Sequence, residues 1–328
     1  MAYADITYIL SPIILTITAL LVLLIDFFTN KKPVILISTL FGLTLSLVVL
    51  IFQYFTFEGN QTLFFETIIF DKFYLFSAIT LILVTMAILL AFYDYIVNQI
   101  SFRSEFISLL ILSLIGSLFM IMAIDFITIY LSLELSSLPI IALIAFGRGK
   151  FSLEGAFKYL ILASFSTGLF LTGIVYIYGA SGSINLHYLN ITEINPAIIL
   201  GLVFLFIGLA FKLSIAPWHM WTPDTYQGSP MPIVTYLSTA SKVAGFVLTI
   251  RIFSEIFSND LSYTNLIILL SIISISSMTI GNLGAILQKD LKRLFAYSTV
   301  AHAGYLSLIH ISEPTRLLSI AYAVFCVK

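Results

Sequence analysis

An all-helical membrane protein with many spans is the fold class this sequence predicts, and three observations carry the reading. Of 328 residues, 60% are hydrophobic and only 9% charged, whereas soluble domains carry roughly 25% charged residues. The apolar residues come in runs of about 20, the length that crosses a hydrocarbon core about 30 Å thick. Most of the charges fall between those runs, and the few that do not are the candidates for function.

Ten runs qualify: residues 7–28, 33–55, 73–93, 105–123, 126–146, 153–178, 196–220, 231–257, 262–283 and 291–309. No basic segment precedes the first and no small-residue cleavage site follows it, so it reads as a retained helix rather than a signal peptide. None alternates apolar and polar residues as the strands of a membrane barrel must. Loops that follow odd-numbered runs hold Lys31, Lys32, Arg103, Arg148, Lys150, Lys289, Lys292 and Arg293, whereas the other side holds Lys72 and Arg251. That bias places the N-terminus outside.

Several function classes drop out. The net charge of -1 is scattered with no basic stripe, which excludes nucleic-acid binding. Cys326 is the single cysteine and no His/Cys group has ligand spacing, so haem, iron–sulfur and zinc sites have no support and no metal site is expected. The glycines of "GASGSI" open no GxGxxG or Walker pattern and read as a turn, so no cofactor-binding site is expected.

Setting aside the ten basic residues above and the tail's Arg316 and Lys328, three of the 15 remain, Lys158, Lys212 and Lys242, all inside runs, and Glu134 is similarly embedded. Lys242 stands eleven residues into its run, roughly 17 Å along a helix at 1.5 Å per residue, near the midplane. An ionised group there costs about 2.5 to 3.5 kcal/mol on insertion scales, so such residues are functional candidates by default. For Glu134, Lys212 and Lys242 a packing ion pair is the structural alternative to proton handling. Lys158 follows Glu154 by four residues, an order that suits either a salt bridge or a relay. Pro139 follows Glu134, and Pro217 follows Lys212, by five residues. Each is expected to break its helix and free a carbonyl near the charge, in a hydrated or protein-buried pocket. Trp218 and Trp221 fit an aromatic belt, and "TPDTYQGSP" an inner loop.

The runs "FKLSIAPWHMWTPDTYQGSPMPIVTYLSTASKVAGF", "LSLELSSLPIIALIAF", "EGAFKYLILASFSTGLFLTGIVYIYGASGSI" and "KDLKRLFAYSTVAHAGYLSLI" resemble subunit N of the proton-pumping NADH:quinone oxidoreductase, respiratory complex I. The likeness runs from the first helix to about Leu308. It implies an antiporter-like fold of 14 helices with inverted five-helix repeats and a broken helix 7, of which about ten helices are present here. The implied organisation is 1–104 for helices 1–3, 105–257 for the first repeat, 258–309 for the start of the second, and 310–328 for a tail. Glu134 would match the helix-5 glutamate, Lys212 the broken-helix lysine, Lys242 the helix-8 lysine, Lys158 a further lysine near the channel, and His302 the opening of the second repeat. His302 among small apolar residues also suits plain packing.

The tail His310 to Lys328 departs from the family pattern. Glu313, Pro314 and Arg316 interrupt it, it carries the only cysteine, and it resembles translated sequencing-adapter DNA. The expectation is a non-native tail on a truncated chain; a short native segment opening an eleventh helix is the alternative.

The resemblance implies a proton-translocating subunit of a bacterial inner (plasma) membrane complex, moving protons through buried Glu and Lys residues while quinone is reduced elsewhere. NADH, FMN, iron–sulfur clusters and quinone are expected in other subunits. The implied partners are antiporter-like subunit M, the small central membrane subunits and the lipid bilayer. A subunit of a stand-alone sodium/proton antiporter complex is the alternative. A membrane acyl transferase lacks a nucleophile and base at a shared interface, and a passive anchor leaves Lys212 and Lys242 unexplained.

Overall fold

The computed structural model describes residues 6–28, 32–57, 59–189, 196–256 and 263–312, which are helical almost throughout. Helices α1 (Leu10–Phe28) and α2 (Lys32–Thr56) pack together at the start. A hairpin follows, β1 (Gln61–Leu63) antiparallel to β2 (Ile68–Phe70), a small element absent from the all-helical expectation. Helix α3 (Lys72–Ala91) begins at Asp71, whose carboxylate accepts the Tyr74 N–H at 2.6 Å. That is an N-cap, satisfying a donor the first turn leaves free. Short α4 (Tyr93–Gln99) leads to α5 (Arg103–Met122).

Helix α6 (Phe126–Ala145) is capped by Asp125, which accepts the N–H groups of Ile127 and Thr128 at 3.1 Å. Helix α7 (Lys150–Ser181) ends at Gly182, whose φ of 73° needs no Cβ. The "GASGSI" glycines thus end a helix. Beyond a 3-10 turn (Leu186–Tyr188) come α8 (Pro196–Leu213), α9 (Trp221–Gly228), α10 (Met231–Ser238), α11 (Ala240–Ile256), α12 (Tyr263–Ile286) and α13 (Leu291–Ser312). Among the described residues eight segments are long and apolar enough to cross a membrane, with α10 and α11 counted as one. The last two predicted runs correspond to α12 and α13, and α13 continues three residues past its expected end. Residues 313–328, with Glu313, Pro314, Arg316 and Cys326, lie outside the described residues.

Four expectations need correction. Pro139 does not break its helix: α6 runs unbroken across it. Serine hydroxyls occupy the carbonyls of that turn, with Ser137 Oγ donating to Leu133 O at 2.6 Å and Ser113 Oγ of α5 donating to Ser136 O at 2.7 Å. The Ser113 bond ties that turn to α5. The run 196–220 stops being helical at Leu213, and its supposed exit loop contains helix α9. The run 231–257 is interrupted at Thr239 (φ -116°, ψ -83°), where the hydroxyls of Ser238 and Thr239 both donate to Thr235 O. Such back-bonding bends helices. Finally, Trp221 is buried and belongs to no aromatic belt; its ring packs against Tyr159 and Phe211.

Helix α5 sits at the centre, packed against α1, α3, α6 and α11. Gly116 sets its closest approach, since a Cβ there would lie 2.4 Å from the Ser136 nitrogen of α6. Gly116→Ala must therefore push the two helices apart. Thermal unfolding in detergent should show a loss of about 1 to 3 kcal/mol, the usual penalty for overpacking.

Candidate functional site

Helix α8 ends in a Schellman motif built on serine. Ser214 has φ 59°, Ile215 N–H donates to Ala210 O at 2.9 Å, and Ser214 N–H donates to Phe211 O at 3.0 Å. Those two bonds satisfy two of the last carbonyls and turn the chain out of the helix. Pro217 stands three residues beyond the turn, so the break begins ahead of the proline. The returning segment is tied down by Ala216 N–H donating to Ser277 Oγ of α12 at 3.0 Å, and by Trp221 Nε1 donating to Phe211 O at 3.1 Å.

Two lysines 30 residues apart in sequence meet this helix end. Lys212, in the last turn of α8, donates from Nζ to Ser136 Oγ of α6 at 2.8 Å. Lys242, one turn past the Thr239 interruption, donates from Nζ to the Leu213 carbonyl that the Schellman motif leaves open. Both side chains are buried, at 7% and 5% exposure. Gly245 makes room for the approach, since a Cβ there would come within 2.9 Å of Leu213 Cδ2 and 3.6 Å of Lys212 Cγ. The arrangement has a physical cause. A helix C-terminus carries the negative end of the macrodipole and unpaired carbonyls, so it attracts cations.

Glu134 lies two residues before Ser136 on α6 and is half-buried. Its charge acts on Lys212 through space, but the partner on Nζ is the serine. The packing ion pair weighed from sequence is therefore not formed as a direct contact. Ser136 escaped the sequence reading although "LELSSL" places it mid-run; a hydroxyl at that depth is the signal that could have found it. Ser136→Ala should destabilise the ammonium of Lys212 by about 1.5 to 3 kcal/mol, the worth of a hydrogen bond to a charged group. A double-mutant cycle with Lys212→Met measures it, and strict additivity would show the bond to be inconsequential.

The other candidates lie elsewhere. Lys158 bridges Glu154 and Asp224, both at 2.7 Å. Asp224 in turn takes Arg293 of α13 at 2.6 Å. Burial pushes the Asp224 carboxyl up, but its hydrogen bonds from Lys158 and Arg293 outweigh that and hold it below the ordinary carboxylate range. A depressed carboxylate contributes stability above its unfolded value and loses it as pH falls through the folded one. Thermal stability should accordingly hold through mildly acidic pH and fall only below the usual carboxylate range, and Asp224→Asn should remove that acid limb. His302 is exposed on α13, with Nδ1 2.8 Å from Ser298 O and its ring against Tyr305. The structure brings Lys212, Lys242, Ser136 and the break together, with Glu134 beside them, and leaves Lys158 and His302 apart.

Fold and site together define a polytopic helical membrane protein with a cation pair at the end of a broken helix. The chain belongs to the NADH:quinone oxidoreductase/Mrp antiporter transmembrane family, whose model matches residues 123–326. NADH-quinone oxidoreductase subunit N of Dehalococcoides mccartyi is 36% identical over 311 residues, covering 90% of this chain and 63% of that protein. The chain thus spans less than two thirds of that relative. A chain of respiratory complex I from Thermus thermophilus superimposes with TM-score 0.79 at 28% identity, covering 96% of this chain and 66% of that one. A chain of the Mrp complex from Dietzia sp. shares the fold, with TM-score 0.82 at 18% identity, covering 97% and 61%.

Proposed function

We propose that this chain is a proton-translocating membrane subunit of an NADH:quinone oxidoreductase of the subunit N type, with Lys212 and Lys242 as the groups that hold and pass the proton. The observation that carries the reading is that two buried lysines meet at one broken helix: Lys212 stands in its last turn and bonds Ser136, and Lys242 donates to the adjacent Leu213 carbonyl. At such a site a proton changes hands when the local charge changes, and Glu134 on α6 and Lys242 at the Leu213 carbonyl are the charges that bear on Lys212. Each charge moved against 100 mV needs about 2.3 kcal/mol, supplied by quinone reduction in other subunits, which would hold the NADH, FMN, iron–sulfur clusters and quinone. The proposed setting is a bacterial inner membrane with the N-terminus outside. The proposed neighbours are antiporter-like subunit M and the small central subunits. By the family resemblance Lys158 would stand near the channel and His302 at the opening of the second repeat.

The sodium/proton antiporter reading is favoured by the fold shared with the Mrp complex chain and by a family description that covers both kinds of complex. Proteoliposomes carrying the assembled complex with the full-length subunit separate the two. Quinone-coupled proton movement without added sodium is the expected result; sodium-dependent flux without quinone coupling would overturn it.

A further inference from the structure

Helix α9 has only eight residues, yet it is fixed on three sides. It lies flat on the start of α7 because two glycines allow backbone contact. A Cβ on Gly155 would lie 3.0 Å from Asp224 O, and one on Gly228 would lie 2.3 Å from Phe151 O. Across this contact runs a line of alternating charge: Glu154, Lys158, Asp224 and Arg293. Arg293 also donates to Gln227 Oε1 at 3.1 Å and to Gln288 Oε1 at 3.0 Å, and Gln227 donates to Asp290 at 3.1 Å. Lys292 Nζ donates to Ser229 O at 2.7 Å, just past the end of α9. The carboxylate of Asp224 is bonded to both α7 and α13.

Asp224 lies one turn beyond Trp221, the first residue of α9. Trp221 donates to Phe211 O, the carbonyl directly before Lys212, and its ring is wedged between Phe211 and Tyr159, the neighbour of Lys158. Asp224, Trp221 and Phe211 therefore form a mechanical chain from the charged end of the molecule to the broken end of α8. From this geometry we infer that Asp224 is a positioning residue for Lys212: by clamping α9 between α7 and α13 it fixes Trp221, and through it the helix end that presents the lysine to Ser136. The inference rests on the translocation reading. It also makes α13 part of the first site, since Arg293 supplies half of the clamp.

The test uses the assembled complex with the full-length subunit in proteoliposomes, carrying Asp224→Asn, Asp224→Glu, Arg293→Gln or Lys212→Met. Rates are taken per assembled complex across pH. Asp224→Asn should lower proton translocation about ten- to a hundredfold, the scale for misplacing a reacting group by about 1 Å, and shift the pH–rate profile. Asp224→Glu should restore most of the rate. Arg293→Gln, which keeps the Lys158 bond, should shift the profile the same way by a smaller amount, and it decides the matter if Asp224→Asn fails to assemble. A role confined to stability would lower the amount of complex while leaving rate and profile per complex unchanged. That result, alongside loss of translocation in Lys212→Met, would overturn the positioning role alone. Wild-type translocation in Lys212→Met would instead overturn the proposed function.

Discussion

Lys212→Met is expected to abolish the subunit's proton translocation while leaving its insertion and assembly intact. Methionine keeps the length of the stem among Gly245, Leu213 and the α6 serines but carries no proton. Removing a group that transfers the proton costs about 10²-fold or more in rate. The fold should not suffer, because the substitution also removes a charge whose insertion costs about 2.5 to 3.5 kcal/mol. Dye-monitored acidification in proteoliposomes, normalised to assembled complex, checks this. Unimpaired pumping with normal assembly would mean that the ammonium at the break is only structural.

The second large effect is on stability. Arg251 of α11 makes a bidentate pair with Asp71, at 2.9 and 3.1 Å, with side-chain exposures of 5% and 14%. The same carboxylate caps α3, so the pair joins the end of the lysine-bearing helix to the hairpin end of the molecule. Arg251→Met leaves that carboxylate buried without its cation, and breaking such a pair costs about 3 to 5 kcal/mol. Assembled complex and melting temperature should both drop. Adding Asp71→Asn should recover most of the loss, because a neutral side chain can still cap the helix.

Much of this was legible in the sequence for a physical reason. Apolar runs and the bias of Lys and Arg reflect the bilayer, a solvent that acts on every residue alike, so the spans and the three lysines within them could be read from composition and depth. What could not be read was set by tertiary contact. Pro139 was expected to break a helix that runs on across it, packed against α5. The interruption at Thr239 is local instead, where two hydroxyls donate to one carbonyl, and no proline or glycine marks it. The packing ion pair that stood as the structural alternative for Glu134 and Lys212 is not a direct contact, because Ser136, at the close approach of α5 and α6, is the partner on Nζ. Trp221 read as a belt residue because its one donor could not be matched in sequence to the Phe211 carbonyl, ten residues back across a chain reversal.

The central claim is that Lys212 and Lys242 serve one route through one helix end. The most direct measurement is the number of protons translocated per electron pair in assembled complexes carrying Lys212→Met, Lys242→Met and both. Groups acting as a unit are non-additive, so each single variant should lose the subunit's whole share and the double should lose no more. A double variant whose loss equals the sum of two partial single losses would place the lysines on separate routes and contradict the account.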